Sequence, residues 1–146
     1  MAINGSIEIN RPPADVFAYL DELGRHGEWQ EDIVSIEVQT EGATRVGSRS
    51  RERRKVPGGE REFTYEVTEH EPPKRVSFKG VDGPIRPEGT VTLEPTADGS
   101  GTSMQLEFDL VPHGFGYLVA WLARRQARKT IPRDMANLKQ QLEKGA

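Results

Sequence analysis

Residues 115–142 read FGYLVAWLARRQARKTIPRDMANLKQQL, and the spacing of their apolar side chains decides the fold. Phe115, Leu118, Val119, Leu122, Ile131, Met135, Leu138 and Leu142 recur at intervals of three, four and their sums. One stripe of a helix is therefore apolar over about 28 residues. At about 1.5 Å per residue such a helix is about 40 Å long. Strands of about seven to ten residues reach only about 25 to 33 Å, so this helix can cross a whole sheet. Pro132 falls inside it and predicts a bend there, unless Thr130 caps a restarted segment.

The residues before it supply the sheet. Ile3, Ile7 and Ile9 alternate with Asn4, Ser6, Glu8 and Asn10, the period of a half-buried strand. Pro12-Pro13 breaks that strand. Ala14 to Leu20 then reads as a short helix with proline in its first turn, Asp15 near its positive end and Val16, Phe17 and Leu20 inward. Leu23 to Trp29 contains two glycines and predicts a second, weaker helical turn. Strands follow with few interruptions: Val34, Ile36 and Val38; Val46 to Val56, closed by Pro57-Gly58-Gly59; Phe63, Tyr65 and Val67; Val76 and Phe78; Val91 and Leu93; Met104, Leu106, Phe108 and Leu110. The connections are short, so neighbouring strands should pair as antiparallel hairpins. The expected order is one strand, two short helices, six strands and a long helix, an α+β arrangement forming one domain over residues 1–146.

Composition narrows the function classes. The chain has no cysteine, which removes disulfides, thiolate metal sites and a cysteine nucleophile, and fits a reducing interior. A net charge of -3 from 23 acids and 20 bases is mixed rather than strongly basic, so no nucleic-acid partner is expected. The start lacks a basic segment followed by an apolar one, and nowhere do about 18 apolar residues run together. A cytoplasmic protein without a membrane span is expected. An apolar fraction of 34% is lean, and is compatible with an interior that is partly a polar-lined space.

Certain segments carry a further likeness: Ile7 to Leu20 (IEINRPPADVFAYL), Glu28-Trp29, Val46-Gly47-Ser48, Tyr65 to Pro73 (YEVTEHEPP), and the run from Gly101-Thr102 into the basic amphipathic helix ending at Leu142. In these, and over nearly its full length, the chain resembles the polyketide cyclase/dehydrase-like branch of the START/Bet v 1 superfamily, the helix-grip fold. The resemblance implies a seven-stranded curved antiparallel sheet wrapped around the C-terminal helix. It also implies a cavity between them for an apolar or aromatic, lipid- or polyketide-like molecule. It carries over no catalytic residue, since the matching positions are strand ends, turns and packing sites.

The third strand is the most informative local feature. With Val46 and Val56 inward, alternation puts Ser48, Ser50, Glu52 and Arg54 on the inner face and Arg49, Arg51, Arg53 and Lys55 in water. Buried polar groups cost free energy unless they are paired, so such a row suits a wet cavity or, alternatively, an edge strand whose charges discourage aggregation. On the cavity reading, Glu52 and Arg54 orient a ligand's polar end. His26 and Trp29, three apart, share one side of a turn that the resemblance places near the cavity mouth; plain packing of Trp29 and a surface His26 is the alternative. Phe63, Tyr65, Phe78, Met104, Phe108, Tyr117 and Trp121 are candidate lining, or ordinary core.

His70 and His113 adjoin proline turns and are expected at the surface. No two histidines have metal-site spacing, and neither metal nor cofactor is expected. The run from Arg124 to Lys129 is expected to be a solvated helix face, with attraction for nucleic acid or anionic lipid as the alternative. The leading expectation is a carrier or sensor of a small hydrophobic or aromatic molecule, with a homodimer as an open assembly. The second is a cyclase, dehydratase or hydrolase in which Glu52, His26 or a tyrosine moves protons. The third is an interaction module using the basic helix face.

Overall fold

The computed structural model describes residues 2–144. Its elements are β1 (Ile3–Ile9), α1 (Pro13–Leu20), a 3-10 turn (Leu23–Glu28), β2 (Ile33–Val38), β3 (Arg49–Val56), β4 (Gly59–Glu71), β5 (Arg75–Gly80), β6 (Ile85–Pro95), β7 (Thr102–Pro112), a second 3-10 turn (Gly114–Leu118) and α2 (Ala120–Lys144). The strands form one sheet in the order β1-β7-β6-β5-β4-β3-β2, each pair antiparallel. The seven antiparallel strands are those expected from the alternating pattern, and their arrangement is the helix-grip fold that the resemblance implies. The edges are β1 and β2, so β3 is an interior strand and the edge-strand explanation of its charges falls away.

Local chemistry sets the pairings. Val56 faces Gly59 across a two-residue turn, Pro57-Gly58, in which Gly58 has φ 88°. Proline followed by a residue in the left-handed region is the sequence requirement of a type II turn. On β1, Ile3 and Ile9 are buried, and between them Gly5 lies against α2: a Cβ there would meet the Met135 sulfur at 2.7 Å. Its missing side chain lets helix and strand approach.

The apolar interior is divided. One cluster joins α1 to the C-terminal half of α2 over β6 and β7, through Phe17, Leu20, Leu93, Met104, Leu138 and Leu142. A smaller one joins Ile3, Ile85 and Leu110 to Ala120 and Ala127. Arg11 ties the two ends of the chain together, pairing with Asp15 at 2.8 Å and donating to the Leu142 carbonyl at 2.9 Å. Among the described residues no helix is long and apolar enough to cross a membrane.

Three expectations change. Val34 is exposed rather than on the face of Ile36, because a bulge between Ile33 and Ser35 shifts the register there, and Val38, opposite Ser50 on the inner face, is still half exposed at this edge strand. Val46 is exposed and precedes β3, the chain turning at Gly47 with φ 92°. The long helix begins at Ala120, so Phe115, Leu118 and Val119 precede it, and Leu122, within it, lies off the buried stripe of Ala120, Ala127, Met135, Leu138 and Leu142. Gly116, pressed against the Pro84 carbonyl, fixes residues 114–118 as a 3-10 turn and ends the helical phase there. Pro132 lies within a continuous α2, and the Thr130 hydroxyl sits 3.5 Å from the Ala127 carbonyl instead of capping a new segment.

Candidate functional site

Between the sheet and α2 lies a cavity of about 430 Å³. Its aromatic wall is supplied by β4, β5 and β7. Phe63 stacks on Tyr65 at 6.2 Å, Tyr65 meets Phe78 edge-on at 5.8 Å, and Phe78 meets Phe108 at 6.4 Å between ring centroids. The last contact spans β6, where Gly89 pairs with both Phe78 and Phe108; a Cβ on Gly89 would lie 2.6 Å from the Phe78 ring. Met104, Leu106, Ile131 and Met135 continue the apolar lining. The lining residues exposed at the mouth are Lys55, Pro57 and Arg61 of the β3–β4 hairpin, Val119 just before α2, and Leu122 and Gln126 of α2.

The polar end comes from β3. Strand alternation turns Ser48, Ser50 and Glu52 inward, all buried, with Arg54 next in line. Glu52 is 5% exposed and makes no hydrogen bond with a described residue; its nearest charged neighbour is the Arg54 Nη1, at 3.6 Å. Arg54 donates from the same nitrogen to Gln30 Oε1 at 2.8 Å. From α2, buried Asp134 faces this group, held by Arg133 Nε at 3.1 Å and the Glu31 amide at 3.4 Å.

Burial pushes the Glu52 carboxyl above the ordinary glutamate range, against the opposing pull of Arg54 and His26. Asp134 is also raised by burial, with Arg133 opposing. For Arg54 burial works against the charge, but Tyr65, Glu52, Asp134 and Asp32 outweigh it and the guanidinium stays charged. Burial and the neighbouring Glu52 raise the Tyr65 hydroxyl. The cavity thus offers a fixed cation beside a carboxyl that readily takes up a proton and a phenol that holds its own.

His26 and Trp29 stand together at the cavity wall, ring centroids 5.5 Å apart. His26 Nε2 lies 2.8 Å from the Leu20 carbonyl. A carbonyl only accepts, so Nε2 carries a proton and donates it. Trp29 Nε1 is buried without a hydrogen-bond partner among the described residues.

Of the residues singled out from the sequence, Trp29, His26, Ser50, Glu52, Arg54, Phe63, Tyr65, Phe78, Met104 and Phe108 all line this one space. Tyr117 and Trp121 do not: they are 71% and 61% exposed. Tyr117 lies in the 3-10 turn before the helix, and Trp121, in the first turn of α2, is on its solvent side. His70 is not a surface residue. Its Nε2 lies 2.9 Å from both carboxylate oxygens of Asp21, and its ring is edge-on to Phe17 at 5.3 Å. His113 is exposed, as expected. Gln30 and Asp134 were missed. For Asp134 a signal existed, an acid set next to Met135 at the margin of an apolar stripe; for Gln30 there was none. No group of acids and histidines among the described residues is arranged to hold a metal ion.

The fold recurs in solved structures. The aromatase/cyclase Zhui from Streptomyces sp. R1128 superposes with a TM-score of 0.83 at 13% identity, over 98% of this chain and 93% of that one. A START superfamily protein from Mycobacterium smegmatis gives 0.79 at 12% identity over 99% of both chains. TTHA0849 from Thermus thermophilus gives 0.77 at 20% identity over 100% of this chain and 99% of that one. No curated protein matches the chain. Residues 2–143 match the family model described as polyketide cyclase / dehydrase and lipid transport, and the chain belongs to that family.

Proposed function

We propose that the chain binds an apolar or aromatic small molecule in the cavity under α2, with the ligand's polar group held by Arg54 and Glu52. The observation that carries this is a buried carboxyl without a hydrogen bond, paired loosely with a guanidinium, at one end of an apolar space of about 430 Å³. Ligand pockets of this kind span about 300 to 1,000 Å³ and use a few convergent polar groups to fix orientation. The row Phe63, Tyr65, Phe78 and Phe108 favours a flat, unsaturated ligand body.

Native mass spectrometry of the purified protein, followed by denaturation, should release a small molecule retained by the cavity. Titration with polycyclic phenols and fatty acids should quench Trp29 saturably. Arg54→Ala and Glu52→Ala should each weaken binding about tenfold or more, the scale of a charge-assisted hydrogen bond. No retained molecule together with no saturable quenching, or unchanged affinity in both variants, would sink the reading.

A second reading is an enzyme of the cyclase or dehydratase class, favoured by the raised Glu52 carboxyl beside Tyr65. There Glu52 would donate or accept the proton while the aromatic wall holds the reacting chain folded. It requires turnover, with a pH-dependent rate that Glu52→Gln abolishes while ligand binding persists.

A further inference from the structure

Between Gly114 and Leu122 the protein exposes six large apolar side chains almost in succession: Phe115, Tyr117, Leu118, Val119, Trp121 and Leu122, with Leu118 at 77%. Isolated exposed apolar residues are ordinary, but a contiguous group of this kind marks an interaction surface. The next two turns of α2 change character without changing face. Arg125 and Arg128 follow Trp121 at four and seven, and Arg125 and Lys129 follow Leu122 at three and seven, so cations and apolar groups share the solvent side of the helix. Arg125, Arg128 and Lys129 are exposed and make no ion pair with a described residue, whereas Arg124 turns inward to Asp109. From Trp121 to Arg133 the sequence contains no acid, in a chain whose net charge is -3.

The occupant must satisfy both halves. A second copy related by a two-fold axis through the apolar half would cover Leu118 and Trp121 but leave Arg125, Arg128 and Lys129 beside it without an acid from this acid-free stretch to receive them. Nucleic acid would take the cations and leave Leu118, Val119 and Leu122 without a partner. An anionic bilayer takes both, since aromatic and aliphatic side chains enter the interface while Lys and Arg meet headgroup phosphates. We propose that this face docks peripherally on an anionic lipid surface, Trp121 and its neighbours in the interfacial layer and Arg125, Arg128 and Lys129 over the headgroups. Val119 and Leu122 also line the cavity, so docking brings its mouth to the bilayer. The docking is independent of what the cavity holds.

Co-sedimentation of the full chain with vesicles of phosphatidylcholine mixed with phosphatidylglycerol, and with phosphatidylcholine alone, tests this. Binding to the mixed vesicles should exceed binding to the neutral ones, fall with added salt, and be accompanied by a blue shift of tryptophan emission that Trp121→Ser removes. Each cation removed should weaken partitioning about fivefold, so Arg125→Gln with Arg128→Gln should lose about 25-fold. Leu118→Ser with Trp121→Ser should lose binding at any salt. All four positions are exposed, and circular dichroism checks that the variants fold. The proposal is overturned if the protein ignores anionic vesicles, or if the variants bind them as the parent does. It is equally overturned if the substitutions abolish only self-association or oligonucleotide binding while vesicle binding is unchanged.

Discussion

Glu52 carries the sharpest consequence of the site's electrostatics. Its carboxyl is pushed above 4.5 by burial, so folding favours the neutral form. The stability this group contributes is fully present below its ordinary value and is lost as pH rises through the raised one. Glu52→Gln removes that titration without removing the volume. Thermal melts of both proteins across pH should therefore run together below 4.5 and separate above it, the variant melting higher, by about 1.4 kcal/mol for each pKa unit of displacement. Asp134, raised in the same direction, acts equally in both proteins and cancels. Parallel profiles throughout would show that Glu52 folds as freely charged as uncharged. The inward row Ser48, Ser50, Glu52 and Arg54 was legible in the sequence because strand alternation is a rigid rule, and polar residues at every inward position have few explanations. His70 was not: its partner Asp21 lies 49 positions away, and no local pattern marks a contact across that distance.

Among the elements, α2 was legible in its C-terminal half and misread at its start. Met135, Leu138 and Leu142 pack as the 3.6-residue period requires. Phe115, Leu118 and Val119 keep the same spacing, yet Gly114 and Gly116 break the helix, and periodicity alone cannot tell a buried stripe from an exposed one. The bulge in β2 was similarly hidden, since a single inserted residue leaves apolar composition unchanged. Pro132 makes a test of the helix itself. It is exposed and has no N–H for the Arg128 carbonyl one turn earlier. Pro132→Ala restores that hydrogen bond and a better helix former, so urea denaturation should show a gain of about 1 to 3 kcal/mol with an unchanged m-value. A loss instead would mean that proline at this position is what fits α2 to the sheet.

At the scale of the whole molecule, helix and sheet are joined by two separate apolar clusters, and the cavity lies against both. The sequence could show that a helix of this length covers the sheet but not that space is left beneath it, because volume depends on how far the sheet curves away. Ala123 distinguishes open space from packed core. It lines the cavity from α2, partly buried, a short side chain where a long one would reach inward. In a filled interior, an added ring forces neighbouring side chains off their rotamers and costs about 1 to 3 kcal/mol. Here Ala123→Phe should leave the unfolding free energy from urea denaturation within about 1 kcal/mol of the parent or raise it, because the ring occupies volume that already exists. The same substitution should abolish saturable quenching of Trp29 by aromatic ligands, since it removes the volume they need. Destabilisation with binding retained would place the ligand elsewhere. Stability retained with binding lost ties occupancy of this space, and not the framework around it, to what the protein recognises.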